Sequence, residues 1–247
     1  MFDSIVFDAV SLVISLVALL ISITLHEVAH GYVSYKMGDD TARINNRLSL
    51  NPFDHINPVA FLLLVGLMAI GVFSSGGNSG FVMSIMSVMI CFTFATPVPV
   101  NTGGLKNPLR DMALIAVAGP VTNIIVALIS MVLIKYTAVL FFSNIKSEFA
   151  AYVVYMVIYF FSYLAQLNIG LAVFNLLPVP PLDGSKILYY FLPRNLLIAF
   201  VKYERHITIG LLLLLIFNVL DMPLNFVGDA VYSGLEFLVN LLPPRGW

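Results

Sequence analysis

Residues 9–30 read Ala9-Val10-Ser11-Leu12-Val13-Ile14-Ser15-Leu16-Val17-Ala18-Leu19-Leu20-Ile21-Ser22-Ile23-Thr24-Leu25-His26-Glu27-Val28-Ala29-His30. Seventeen uncharged residues run straight into two histidines flanking a glutamate. A membrane-spanning helix needs about 20 apolar residues. From Asp8 to Glu27 a helix rises about 28 Å, which puts Glu27 near the far edge of a hydrocarbon layer about 30 Å thick. The stretch therefore predicts a transmembrane helix that carries ionisable groups at one end, where such groups are functional by default.

The rest of the chain agrees with that solvent. Of 247 residues, 60% are apolar and 10% charged, against about 45–50% and 25% in soluble domains; the mean hydropathy is +0.98. This excludes an ordinary soluble domain and a disordered chain. Twelve Lys and Arg against thirteen Asp and Glu leave no basic excess for nucleic acid. The single cysteine, Cys91, cannot form an intrachain disulfide.

Other charge-free runs mark further spans: Met112–Ile134 between Asp111 and Lys135, and Phe149–Leu182 after Glu148. Ile56–Leu105 has no charge over 50 positions but is broken at Ser74–Gly80. It splits into pieces at about 58–73 and 81–95, which either both cross or form a re-entrant pair. Ile207–Leu220 is short and is read as a fifth span once Asn195–Phe200 extends it, with Lys202, Glu204 and Arg205 reaching the interface. Asn225–Leu242 is a last span or an interfacial helix. The expectation is an all-α polytopic integral membrane protein of about five to six membrane segments with short extended loops. It forms a single domain over 1–247, with a core at about 9–190 and C-terminal membrane segments at about 195–242.

Cations orient the bundle. With the N-terminus outside, Lys36, Arg43, Arg47, Lys106, Arg110, Lys186, Arg194, Lys202 and Arg205 all fall in inner loops, nine of the twelve. The first segment lacks a basic leader region, which argues against a cleaved signal peptide.

His26 and His30 are four residues apart, so on a helix they are one turn separated and about 40° apart around the axis. That spacing lets both bind one Zn²⁺, while Glu27 beside them can take a proton from a water activated by the metal. A hydrated polar helix end is the blander reading, but the chain has only four histidines, and two of them sit here at metal spacing. Catalytic zinc usually takes three protein ligands. His55, in a turn-rich loop, is expected to sit in water, and His206 to anchor the fifth span at the interface. Asp183 follows 34 charge-free residues in Asn175-Leu176-Leu177-Pro178-Val179-Pro180-Pro181-Leu182-Asp183-Gly184. Its prolines stop a helix, and irregular backbone at membrane depth is tolerated only where it is buried or lines a cavity. Spans one and four end on the same side, so Asp183 is expected at the depth of the histidines and as the third ligand.

His26–His30, Ala118-Gly119-Pro120-Val121-Thr122-Asn123 and Asn175 through Gly184 together resemble the site-2 protease family of intramembrane zinc metalloproteases. Gly38-Asp39, Ala42-Arg43, Leu48 through Pro52, and Pro97-Val98-Pro99-Val100-Asn101 are similar to its compact bacterial and archaeal branch, which lacks PDZ and CBS domains. The resemblance covers about residues 15–190. It implies one zinc ion per chain held by His26, His30 and Asp183, with Glu27 as catalytic base. It also implies that Asn175 helps hold substrate or the oxyanion; Asn123, in the second of these motifs, is a candidate substrate-binding residue. The chain departs from the family's usual pattern at Ser185, where a second glycine is common, and at Thr96, where a lysine is common; neither is a ligand. Pro97, Val98 and Pro99 read as an extended edge that pairs with an unwound substrate strand, against the plainer reading of a connector. The implied partners are a transmembrane protein substrate and the bilayer, in a prokaryotic plasma membrane with the active site near the cytoplasmic side. A regulatory membrane partner stays unidentified.

Two rivals come from other classes. A metal-ion transporter would spread polar residues along a pathway and show an internal repeat; here they cluster at one depth without a repeat. An inactive scaffold of the same fold would have no need of Glu27. Gly77-Asn78-Ser79-Gly80 matches a serine-protease pattern, but the histidines belong to the opposite membrane face, so a hairpin tip is the better reading.

Overall fold

Lipid cannot hydrogen-bond a backbone, so a chain of this composition satisfies its amides within helices. In the computed structural model, residues 2–55, 57–74, 99–142 and 147–243 are described, and they contain helices and no strands. The helices are α1 (Phe2–Met37), α2 (Thr41–Ile44), α3 (Pro58–Ser74), α4 (Pro108–Phe142), α5 (Glu148–Asn175), α6 (Asp183–Phe191), α7 (Arg194–Ile216) and α8 (Asp221–Asn240). Segment 81–95, Gly77–Gly80 and residues Pro97 and Val98 lie outside the described residues.

Three helices, α1, α4 and α5, are long and apolar enough to cross a membrane, and they pack against one another. α1 and α4 are longer than their charge-free runs, whereas α5, at 28 residues, ends before its run does. In α1 the helix continues past His30 to Met37, which makes the His-Glu-x-x-His motif an interior turn. The buried stripe of α1 is Ser11, Ser15, Ala18, Ser22, His26, His30 and Ser34, whereas Val13, Val17 and Ile21 face outward. Small residues at four-residue spacing let backbones approach, which is how helices associate in lipid. Asn168 of α5 donates to Ser22 Oγ at 2.8 Å, and Ala18, Leu19 and Ile23 pack with Leu164, Leu167, Leu171 and Met68 of α3. This core aligns α1 and α5, so that the His26 end of one helix and the Asn175 end of the other lie together.

The C-terminal third, α7 and α8, is long and apolar enough to cross a membrane only as a bent pair. Leu211 and Leu215 of α7 pack on Phe174 and Leu182, and Thr208 Oγ1 donates to the Pro180 carbonyl at 3.3 Å, so these turns of α7 lie against the segment that leads to Asp183. Its first half carries exposed Arg194, Lys202, Glu204 and Arg205, which favour water over hydrocarbon. A break at 217–220 turns the chain by 84° into α8. There Val231, Leu235 and Val239 pack on Ala127, Met131, Ala165 and Ile169 of α4 and α5. The return along the bundle is thus made by α8.

Candidate metal centre

Two turns of α1 and the first residue of α6 form the site. The proline-rich segment after Asn175 ends α5 and turns the chain back, so Asp183 opens a new short helix. His26 Nε2 and His30 Nε2 are 3.0 Å apart, and Asp183 Oδ2 lies 3.2 Å from the first and 3.0 Å from the second. All three residues are buried. Three donors each about 2.0–2.1 Å from a tetrahedral zinc stand about 3.3 Å apart, so this triangle is near the size the ion needs. Among the described residues it is the group of histidines, cysteines and acids gathered closely enough to hold a metal. The other carboxylate oxygen, Oδ1, is 3.4 Å from Lys186 Nζ.

The surroundings leave space at this triangle and orient one of its imidazoles. His30 Nδ1 lies 2.6 Å from the Ile115 carbonyl of α4. That ring nitrogen donates, which leaves Nε2 as the lone-pair side facing Asp183. Gly119 of α4 abuts both imidazoles: a Cβ there would lie 2.4 Å from His26 Cε1 and 2.5 Å from His30 Nε2. The glycine that allows close helix packing therefore also leaves the site its width. Pro120 follows inside the helix and lacks the N–H that would bond the carbonyl four residues back.

Other predicted site residues are placed as follows. Glu27, 8% exposed, is buried beside His26. Asn175 is buried at the last residue of α5, where its Nδ2 donates to the Leu171 carbonyl of its own helix at 3.0 Å. Asn123, 0% exposed, is four residues beyond Gly119 and so on the same face of α4; neither amide atom finds a hydrogen-bond partner among the described residues. Pro99 is half-buried on the approach to Asn101. His206 is exposed, in keeping with an interfacial position. The expectation that His55 sits in water is corrected. It is 1% exposed, with Nε2 donating to the Ser49 carbonyl at 2.7 Å, because the 45–55 loop folds on itself. The Ile115 carbonyl was not foreseen, since a backbone acceptor has no residue-type signature.

A His-Glu-x-x-His helix completed by a distant aspartate, inside a bundle of apolar helices, defines an integral-membrane metallopeptidase. The profile of Peptidase family M50 matches residues 14–217. The chain is 34% identical over 225 residues to "Putative zinc metalloprotease YwhC" of Bacillus subtilis (strain 168), covering 91% of this chain and 89% of that one. It is 29% identical over 166 residues to "Putative zinc metalloprotease Rip2" of Mycobacterium tuberculosis (strain ATCC 25618 / H37Rv), covering 67% of this chain and 52% of that one. No solved structure matches it. The chain belongs to Peptidase family M50, the site-2 proteases, and is a zinc metalloprotease of the membrane.

Proposed function

We propose that the chain hydrolyses peptide bonds within or next to transmembrane segments of other membrane proteins, with His26, His30 and Asp183 holding the zinc ion and Glu27 as general base. The observation that carries this reading is the approach of His26 Nε2, His30 Nε2 and Asp183 Oδ2 to within 3.0–3.2 Å of each other, beside a buried glutamate. When bound, zinc supplies a Lewis acid that makes water acidic and polarises a carbonyl. Glu27 takes the proton of the attacking water and returns it to the leaving amine. The Asn175 amide serves as a preorganised donor to the oxyanion; to do so its Nδ2 releases the Leu171 carbonyl. An intact substrate helix hides its carbonyls in i→i−4 bonds, so cleavage favours spans broken by Gly, Pro or Asn. We place the protein in a prokaryotic plasma membrane, N-terminus outside and metal end cytoplasmic, on the support of nine cations at that end.

The test is purified protein, zinc and a transmembrane substrate, wild type against Glu27→Gln. Cleavage should fall by at least about 100-fold with zinc still bound. Undiminished cleavage would remove Glu27 from its role, and equal rates on a rigid poly-leucine span and a helix-broken one would remove the substrate preference.

A further inference from the structure

Asp39 stands two residues beyond α1 and is 3% exposed, yet none of the roles above uses it. Its carboxylate is fully engaged. Oδ2 accepts from Ser34 Oγ at 2.9 Å and from the Asn101 backbone N–H at 2.9 Å. Oδ1 accepts from the Thr41 N–H at 3.0 Å and from the Thr41 hydroxyl. Ser34 is one turn after His30 on the buried stripe of α1. One carboxylate thus ties the metal-bearing helix to a backbone amide 62 residues away in sequence.

The amide it holds has a consequence for the chain before it. Asn101 is extended, at φ −91° and ψ 101°. In an extended chain successive residues present their N–H and C=O groups to alternate edges. With the Asn101 N–H turned toward Asp39, the Val100 C=O of the same trans peptide faces the opposite edge, and an extended Val100 places its own N–H on that edge too. Pro99 shares the edge of Asn101 and has no N–H to offer there. Among the described residues no backbone hydrogen bond outside the helices engages Val100. The sequence Pro99-Val100-Asn101 therefore has donors on both edges, one bound to Asp39 and the other open.

We infer that Asp39 is a positioning residue: by holding the Asn101 N–H against the end of α1, it turns Val100 outward as the residue that pairs with an unwound substrate strand and sets the register of that strand against His26 and His30. This rests on the reading of the segment as a substrate-pairing edge. A strand shifted by one residue presents its other edge, so loss of the anchor alters where the substrate is cut.

The experiment uses the zinc-loaded full chain and a designed single-span probe, a leucine-rich transmembrane helix interrupted by Gly-Pro, with products mapped by mass spectrometry. Asp39→Ala should raise KM about tenfold, change kcat less than threefold, and spread cleavage from one peptide bond to several, with one zinc per chain retained. Asp39→Asn, which keeps the shape and half of the acceptors, should fall between. Val100→Pro, which deletes the outward N–H, should raise KM similarly. A wild-type KM and a single cut position in Asp39→Ala would overturn the inference. So would loss of zinc in both Asp39 variants, which would make the residue merely structural. If Val100→Pro behaves as wild type, the substrate-pairing reading falls and the Asp39 inference with it. If it is impaired while Asp39→Ala is not, only the Asp39 inference falls. Absence of any cleavage by wild type would remove the proposed function first.

Discussion

His30 donates from Nδ1 to the Ile115 carbonyl across the α1–α4 interface at 2.6 Å, and the same turn of α4 brings Gly119 against both imidazoles. Packing of α1 on α4 and orientation of a candidate metal-binding imidazole are therefore one feature. A ligand histidine whose other nitrogen is held in this way has its tautomer and ring plane settled before the metal arrives.

Gly119→Ala should disrupt the metal site directly. Its Cβ would lie 2.4–2.6 Å from imidazole atoms, so either α4 retreats or the rings rotate. Displacements of about 1 Å can cost about 100-fold in rate. The expected result is that loss of activity, together with zinc well below one per chain by elemental analysis. Full zinc content with normal cleavage would show that the helices part without disturbing the ligands.

Asp183 depends on its neighbour in the same way. A Cβ on Gly184 would meet the Leu176 and Leu177 carbonyl oxygens at 2.3 Å, so Gly184→Ala should push α6 off the end of α5 and weaken zinc binding. Asp183→Asn should do so by removing charge without moving the chain. Competition with a chelator separates them from wild type: both should release zinc at lower chelator concentration, by roughly tenfold or more. Unchanged zinc stoichiometry in Asp183→Asn would sink its assignment as a ligand.

Lys135 of α4 donates to the Val239 and Leu242 carbonyls, each at 2.9 Å. A cation at the C-terminal end of α8 gives the Val239 carbonyl a second donor beside the Leu242 N–H and complements the helix dipole. Lys135→Met should loosen the last turns of α8 by about 1 kcal/mol. Amide exchange there should quicken several-fold while zinc content stays constant; unaltered exchange would show that apolar packing alone holds that end.

Asp39 contributes a pH-dependent part of the stability. Burial raises its pKa, but hydrogen bonds from the Thr41 hydroxyl and N–H, the Asn101 N–H and Ser34 outweigh it and hold the carboxyl below its ordinary value. A carboxyl with a lowered folded pKa adds stability that is present above its unfolded pKa of about 3.9 and lost as pH falls through the folded value. The melting-temperature gap between wild type and Asp39→Asn in detergent should be constant above about pH 5 and close as the medium is acidified below the usual carboxylate range. A gap that closes near neutrality would assign the effect to another group.

Much of this was legible in the chain itself, for identifiable reasons. Three long helices follow from charge-free runs because lipid leaves the backbone no other partner, and the pairing of His26 with His30 follows from 3.6 residues per turn. Depth matching brought Asp183 to the same end. The reading failed at His55, whose burial depends on a loop closing on the Ser49 carbonyl, and it could not show the bend that joins α7 to α8.

Composition and local spacing determined the solvent, the class of fold and the candidate metal pair His26 and His30, since each is a property of residue types at short range. Tertiary structure alone decided that Asp183 meets both histidines within 3.2 Å, that Ile115 holds His30, that Gly119 gives the site its width, and that Asp39 grips Asn101. Those contacts join residues far apart in sequence, most through backbone atoms or the absence of a side chain, and neither leaves a periodic trace in the sequence.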